Sequence, residues 1–178
     1  MVGTTIFIAG TYGTGKSTLC SKLANKLNIP SFSAGDLISE ETGEKYGANK
    51  VVVDKNNNQL ILANRVQALN FKYECILLAG HFRIFNSANQ VERLPETVFP
   101  ELNLSRIILL EATSGQILKH LQRRDAKAYK HDDITELLSQ ERGQAEKTSL
   151  HLDCPLTVYR MTFSNKDIET IGDIIQGG

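Results

Sequence analysis

The sequence has no excess of charge of either sign: Lys plus Arg and Asp plus Glu number 20 each. That balance leaves no electrostatic footprint for a nucleic acid or an anionic membrane, and argues against both as partners. Nor is there an apolar run of membrane-spanning length; the longest are short stretches such as 76–79 and 107–110. The first residues hold no basic leader followed by an apolar block and a cleavage site, so a cytoplasmic protein is expected. Cysteine is scarce. Cys20, Cys75 and Cys154 lie far apart, form no C-x-x-C pair and have apolar neighbours. A zinc site or disulfide framework is therefore not expected, and buried, reduced thiols are. Internal repeats and low-complexity stretches are also lacking, and the polar run 55–59 is too short for a linker. The 178 residues fit one domain with a sizeable core.

What is present is alternation. Residues 4–8 are β-branched and aromatic, a buried strand. Residues 16–27 follow with Leu19, Leu23 and Leu27 every fourth position, which gives a helix one apolar face. Pro30 stops it. The spacing then predicts a strand at 31–34, helices at 35–45 and 56–70, and strands at 75–79, 106–110 and 156–161. Thr113 and Gln116 form a capping box for a helix after the fourth strand. Asp133 and Glu136 suggest a weaker one for a helix running to about 150, with Asp132 and Asp133 as caps. A last helix is expected at 166–175. The stretch 80–105 is long and irregular, with Pro95 and Pro100, and a loop of that length has a job or hides short elements. The fold class is α/β: a five-stranded, mainly parallel sheet flanked by helices. Strand order is not readable.

One segment carries chemistry outright. Gly10-Thr11-Tyr12-Gly13-Thr14-Gly15-Lys16-Ser17-Thr18 meets G-x-x-x-x-G-K-[ST], between a predicted strand and a predicted helix. Triphosphate oxygens need convergent donors. Gly10, Gly13 and Gly15 let the backbone curl so that its N–H groups point inward. The helix starting near Lys16 adds its unpaired N–H groups and positive dipole end. Lys16 can reach the β- and γ-phosphates, Ser17 is the expected Mg²⁺ ligand, and Thr18 caps the helix or meets the α-phosphate. Gly10, Gly13, Thr14, Gly15, Lys16, Ser17 and Thr18 are thus the candidate nucleotide-binding residues, for Mg²⁺ with ATP. The glycine spacing is wrong for a dinucleotide-binding turn.

Further segments resemble P-loop nucleoside-monophosphate kinases, in particular archaeal-type adenylate kinases and related bacterial ATP-binding proteins. They are Phe32-Ser33-Ala34-Gly35-Asp36-Leu37, then Leu77-Leu78-Ala79-Gly80-His81-Phe82-Arg83, then Leu94-Pro95 and Phe99-Pro100-Glu101-Leu102-Asn103. Leu121-Gln122-Arg123-Arg124-Asp125 and His131-Asp132-Asp133 resemble the two ends of a lid, at about 123–133. The resemblance implies a P-loop NTPase fold with a short lid and a phosphotransferase that moves the γ-phosphoryl of ATP to a small acceptor. It implies catalytic roles for Lys16, Arg124 (with Arg123 as the alternative) and Asp36. Asp36, His81, Arg83 and Arg142 are the implied acceptor-binding residues. The expected partners are ATP and a small-molecule acceptor, with a nucleoside monophosphate as one candidate.

Two departures stand out. The family's acid at the end of the third strand is replaced by Ala79, leaving Asp36 or Glu111 to substitute through water. An arginine that grips the monophosphate is replaced by Ser39. Both keep open a nucleotide-binding switch or slow ATPase acting with a protein partner. A kinase acting on a nucleic-acid end is a third alternative, and the neutral charge argues against it.

Overall fold

The computed structural model describes residues 1–43, 55–85, 90–124 and 128–177. The chain opens with β1 (Thr4–Gly10), α1 (Lys16–Leu27), β2 (Ser31–Ser33) and α2 (Ala34–Thr42). Next come α3 (Lys55–Lys72), β3 (Cys75–Gly80), β4 (Arg83–Phe85), β5 (Val91–Arg93) and a 3-10 helix (Glu96–Leu102). The remainder is β6 (Leu104–Glu111), α4 (Ser114–Arg124), α5 (His131–Leu152), β7 (Leu156–Arg160) and α6 (Asn165–Gln176).

The expected five-stranded sheet is present, in the order β2-β3-β1-β6-β7, and every pairing is parallel. Both its faces are covered, which is why its central strands read as unbroken apolar runs. Phe7, Ala9, Ile76, Leu78, Ile107 and Leu109 pack beneath α2, α3, α5 and the 3-10 helix. Ile6, Ile8, Leu77, Ala79, Ile108 and Leu110 pack on the other face, toward α1 and α6. The registers bring Gly10, Gly80 and Glu111 to one edge, the carboxyl ends of the strands. That edge is where open parallel sheets bind ligands, and β1 lies where the strand order reverses.

Several local expectations change. The segment 80–105 holds the antiparallel β4–β5 hairpin and the 3-10 helix; strands of three residues are too short to show a period. Helix α2 ends at Thr42, three residues early, because Gly43 caps it in the left-handed region with its N–H on Ser39 O. Lys45, where that helix was expected to end, lies outside the described residues. So do Asp125, Ala126 and Lys127 of the expected lid. Helix α5 starts at His131 behind Lys130, so Asp132 and Asp133 are first-turn acids that suit the dipole and do not cap the helix. The Thr113–Gln116 box forms as expected, with Gln116 N–H donating to Thr113 Oγ1 at 3.2 Å and Thr113 N–H to Gln116 Oε1 at 3.1 Å. Cys20 and Cys154 are buried free thiols, whereas Cys75 is half-buried. No helix among the described residues is long and apolar enough to cross a membrane.

The turn from β7 into α6 is organised by Asp167, which is 1% exposed. It accepts from Tyr159 OH at 2.9 Å, Thr162 N–H at 3.0 Å, Thr162 Oγ1 at 2.6 Å and Ser164 N–H at 3.3 Å. Burial alone would raise its pKa, but donation from Thr162 and Tyr159 outweighs that and holds it below the usual carboxylate value. The stabilisation is therefore complete above the unfolded pKa and is lost as pH falls through the folded one. Asp167→Asn puts an NH₂ among donors. It should cost about 2 kcal/mol in urea unfolding at pH 7, with the gap closing below about pH 4. A pH-independent gap would contradict this assignment.

Candidate functional site

The turn from β1 into α1 is a loop closed on itself. Gly13 and Gly15 have φ of 76° and 82°, a region that side chains resist. Thr14 Oγ1 donates to Thr11 O at 2.9 Å. Lys16 Nζ folds back to donate to the carbonyls of Gly10 and Thr11, each at 2.7 Å. The ammonium thus rests on the loop's own backbone. Helix α1 begins with Gly15 as a left-handed N-cap, with no side-chain cap and no acid in its first turn. Among the described residues no side chain caps that helix start. One turn into the helix, burial pushes the Cys20 thiol up to about 12 against the pull of Lys16, so it stays a thiol.

The loop floors a continuous cavity of about 590 Å³. Gly13, Gly15, Lys16, Ser17 and Thr18 line it; Gly10 and Thr14 lie buried behind and shape the loop. At one end stand His120, Arg124 and Phe163. His120 Nδ1 donates to Gly13 O at 2.8 Å, a role fixed because a carbonyl can only accept. Its ring meets Phe163 edge-on at 4.6 Å, so α4 and the Asp167-held turn close over the phosphate loop together. At the other end the walls are apolar: Phe7, Ile38, Leu62, Leu94, Val98 and Phe99. The buried amides Asn58 and Gln59, with Ser33 and His81, add polarity. Asp167 is the one carboxylate among the described lining residues.

The other sequence-predicted residues distribute unevenly. Both lid arginines are exposed; Arg124 lines the cavity, whereas Arg123, one position before it on α4, does not. His81 lines it and packs on Tyr12 at 4.7 Å. Arg83 is half-buried just behind the wall. Its Nη2 donates to Gln144 Oε1 at 3.1 Å, and its Nε has no hydrogen-bond partner among the described residues. Asp36 is exposed in the first turn of α2, where its N–H meets Ser33 Oγ at 3.4 Å, and it does not line the cavity. Arg142 is half-exposed, paired with Glu146 at 3.1 Å and Glu111 at 3.4 Å. Glu111 therefore faces Arg142, and neither lines the cavity.

Four participants were not anticipated. Tyr12 stacks on Phe85 at 5.9 Å and its hydroxyl accepts from Phe85 N–H at 3.4 Å, seating the phosphate loop against the hairpin. Burial pushes its pKa up to about 12, so it stays neutral. His120 and Phe163 carry no motif. Glu141 is buried on α5 and accepts from Phe82 and Arg83 N–H. Its signal was an acid in phase with Ile134, Leu137 and Ala145 on a helix otherwise apolar at those positions.

The residue set fits Mg²⁺ with a nucleoside triphosphate: uncapped helix amides, an ammonium at the loop and the hydroxyls of Ser17 and Thr18 at its mouth. Among the described residues no group of three or more His, Cys, Asp or Glu could hold a metal by itself. That suits a hard ion carried largely by phosphate oxygens and water. When bound, the ion would neutralise phosphate charge.

Known proteins are similar over nearly the whole chain. The family described as AAA domain matches residues 9–138. An adenylate kinase of Bifidobacterium longum is 26% identical over 179 residues, 95% of this chain and 92% of its own. An adenylate kinase of Clavibacter michiganensis is 26% identical over 182 residues, 96% and 87% of the two chains. Shikimate kinase from Bacteroides thetaiotaomicron superposes with a TM-score of 0.62 at 14% identity, covering 98% of this chain and 97% of that one. Shikimate kinase from Acinetobacter baumannii, in complex with shikimate, gives 0.61 at 12% identity, covering 98% and 94%. At such identities the structural likeness establishes the fold.

Lys16→Ala should keep the melting temperature within a few degrees while weakening ATP binding by roughly tenfold or more in calorimetry. Unchanged affinity would take the triphosphate off this loop.

Proposed function

The chain belongs to the AAA domain family, with the P-loop fold of nucleoside-monophosphate kinase-like proteins, and on that premise we propose that it transfers the γ-phosphoryl of ATP to a nucleoside monophosphate. The observation that carries this reading is the make-up of the acceptor end of the cavity. Its walls are apolar and partly aromatic, with two buried amides, which suits a flat base. A phosphate acceptor is already ionised and needs no general base. An alcohol acceptor needs one, and the single carboxylate among the described lining residues, Asp167, is committed to Tyr159, Thr162 and Ser164.

In this reading Lys16 leaves the Gly10 and Thr11 carbonyls for the phosphates of the donor. The acceptor oxygen bonds to the γ-phosphorus as the bond to the bridging oxygen breaks, and ADP leaves. Arg124, over the loop at the end of α4, meets the charge on the moving group. His120 and Phe163 hold the donor's base end, and closure of the 123–133 segment excludes water. Asp36, Arg123 and Arg142 enter only by moving from their present positions. Arg83, which does not line the cavity, would reach the acceptor's phosphate only from behind the wall.

A second reading is favoured by one feature. Ala79 lines the cavity where an acid is expected, and neither Asp36 nor Glu111 does. That supports a nucleotide-binding switch or slow ATPase working with a protein partner.

Purified protein with γ-labelled ATP and a panel of monophosphates, nucleosides and hydroxy acids separates the two. Label in a nucleoside diphosphate is expected; label only in free phosphate, for every acceptor, would leave the slow ATPase. Arg124→Ala should lower kcat for transfer by about 100-fold or more with a smaller change in the KM for ATP. Equal kcat in the variant would remove Arg124 from the reaction.

A further inference from the structure

Helix α5 buries polar side chains in the middle of the fold. Ile134, Leu137, Glu141, Gln144, Ala145 and Thr148 are all buried, at spacings that keep them on one side. Glu141 is 1% exposed. Its Oε1 accepts from Phe82 N–H at 3.0 Å, and its Oε2 accepts from Phe82 N–H at 3.1 Å and Arg83 N–H at 2.7 Å. One turn later Gln144 Oε1 takes Arg83 Nη2 at 3.1 Å, while the Gln144 amide donates to Thr148 Oγ1 at 3.3 Å. Helix α5 therefore holds Arg83 by both backbone and guanidinium. The phosphate loop also acts on this carboxylate, with the Lys16 charge and the Gly10 N–H favouring its ionised form.

An ionised carboxylate only accepts, so it can serve amides from two loops at once. We propose that Glu141 is a positioning residue for phosphoryl transfer, fixing the start of β4 against the phosphate loop and so setting the gap between acceptor and donor. The proposal rests on the kinase reading above. Ala79 and Gly80 line the cavity and Glu141 does not. It therefore works from behind the wall, through Gly10, Phe82 and Arg83, and is no direct replacement for a metal-shell acid.

The clamp needs the charged form, because a protonated carboxyl presents a donor to amides that also donate. Burial pushes Glu141 up to about 7, against the lowering effect of the Phe82 N–H, the Lys16 charge and the Arg83 and Gly10 N–H groups. The charged or titratable groups facing it are Lys16 from α1, Tyr12 from the phosphate loop and Arg83 from β4. Transfer should accordingly rise with pH through about 7.

Glu141→Gln keeps the shape and turns an NH₂ toward one of the two amides. Misplacement of this kind should lower kcat for transfer by about 10- to 100-fold, with the Kd for ATP changed by less than about threefold. The variant's kcat should be flat from pH 6 to 8 where the wild type climbs. A variant within about threefold of wild-type kcat, or a wild-type profile flat over that range, would overturn the proposal. Should the variant not fold, hydrogen exchange on the wild type decides. Protection of the Phe82 and Arg83 amides, relative to unstructured rates, must fall between pH 8 and pH 6, and constant protection rejects the clamp. Absence of transfer from the wild type to any acceptor counts against the kinase reading instead, and the same exchange measurement still judges the clamp.

Discussion

A carboxylate taken out of water must find donors or a proton. Glu141 finds them where the chain leaves β3 and enters β4: the Phe82 and Arg83 N–H groups donate to it, the Lys16 charge and the Gly10 N–H help hold it ionised, and the helix that supplies the acid comes from much later in the chain. The charge is tolerable only when all of these are in place, so its burial specifies the assembled cleft more than it adds stability. Around it the other contacts follow. Tyr12 stacks on Phe85 and meets His81 at a tilt, Gln144 holds the Arg83 guanidinium, and Lys16 supplies a positive charge that favours the ionised acid.

The site's two ends are built by different means. The phosphate-loop end is backbone: a loop with two left-handed glycines, an uncapped helix and an ammonium that rests on the loop's carbonyls. The other walls are side chains, mainly apolar, hung on α2, α3 and the 3-10 helix. The shared fold extends to shikimate kinases at 12–14% identity, while the 26% identity to adenylate kinases runs across most of both chains. The apolar wall is made of side chains, which relatives sharing only the architecture are free to change.

The phosphate loop was legible because everything it needs lies within nine consecutive residues. The four longer sheet strands were legible because each is rich in apolar or β-branched residues, and three-residue β2 because Pro30 sets it off from α1. The β4–β5 hairpin was not, since its strands are three residues long. The acceptor-side cations were legible as residue types but not as directions. Arg142 looked useful from sequence, yet it points at Glu111 and Glu146, while Glu141 beside it, about 100° around the helix, reaches the Phe82 and Arg83 amides behind the cavity wall. The same phase puts Arg124 on the cavity wall and Arg123 off it, although both are exposed. Asp36 looked like a strand-mouth acid and proved a first-turn residue facing out. Glu141 itself could have been found: an acid in step with Ile134, Leu137 and Ala145 has no reason to be there unless something donates to it.

The most direct test of a donor site on residues 10–18, backed by Glu141, is a crystal structure with a non-hydrolysable ATP analogue and Mg²⁺, read at two side chains. The account predicts that Lys16 Nζ leaves the Gly10 and Thr11 carbonyls for phosphate oxygens while Glu141 keeps the Phe82 and Arg83 amides. An analogue bound away from the loop, or Lys16 still on those carbonyls beneath it, would contradict the account.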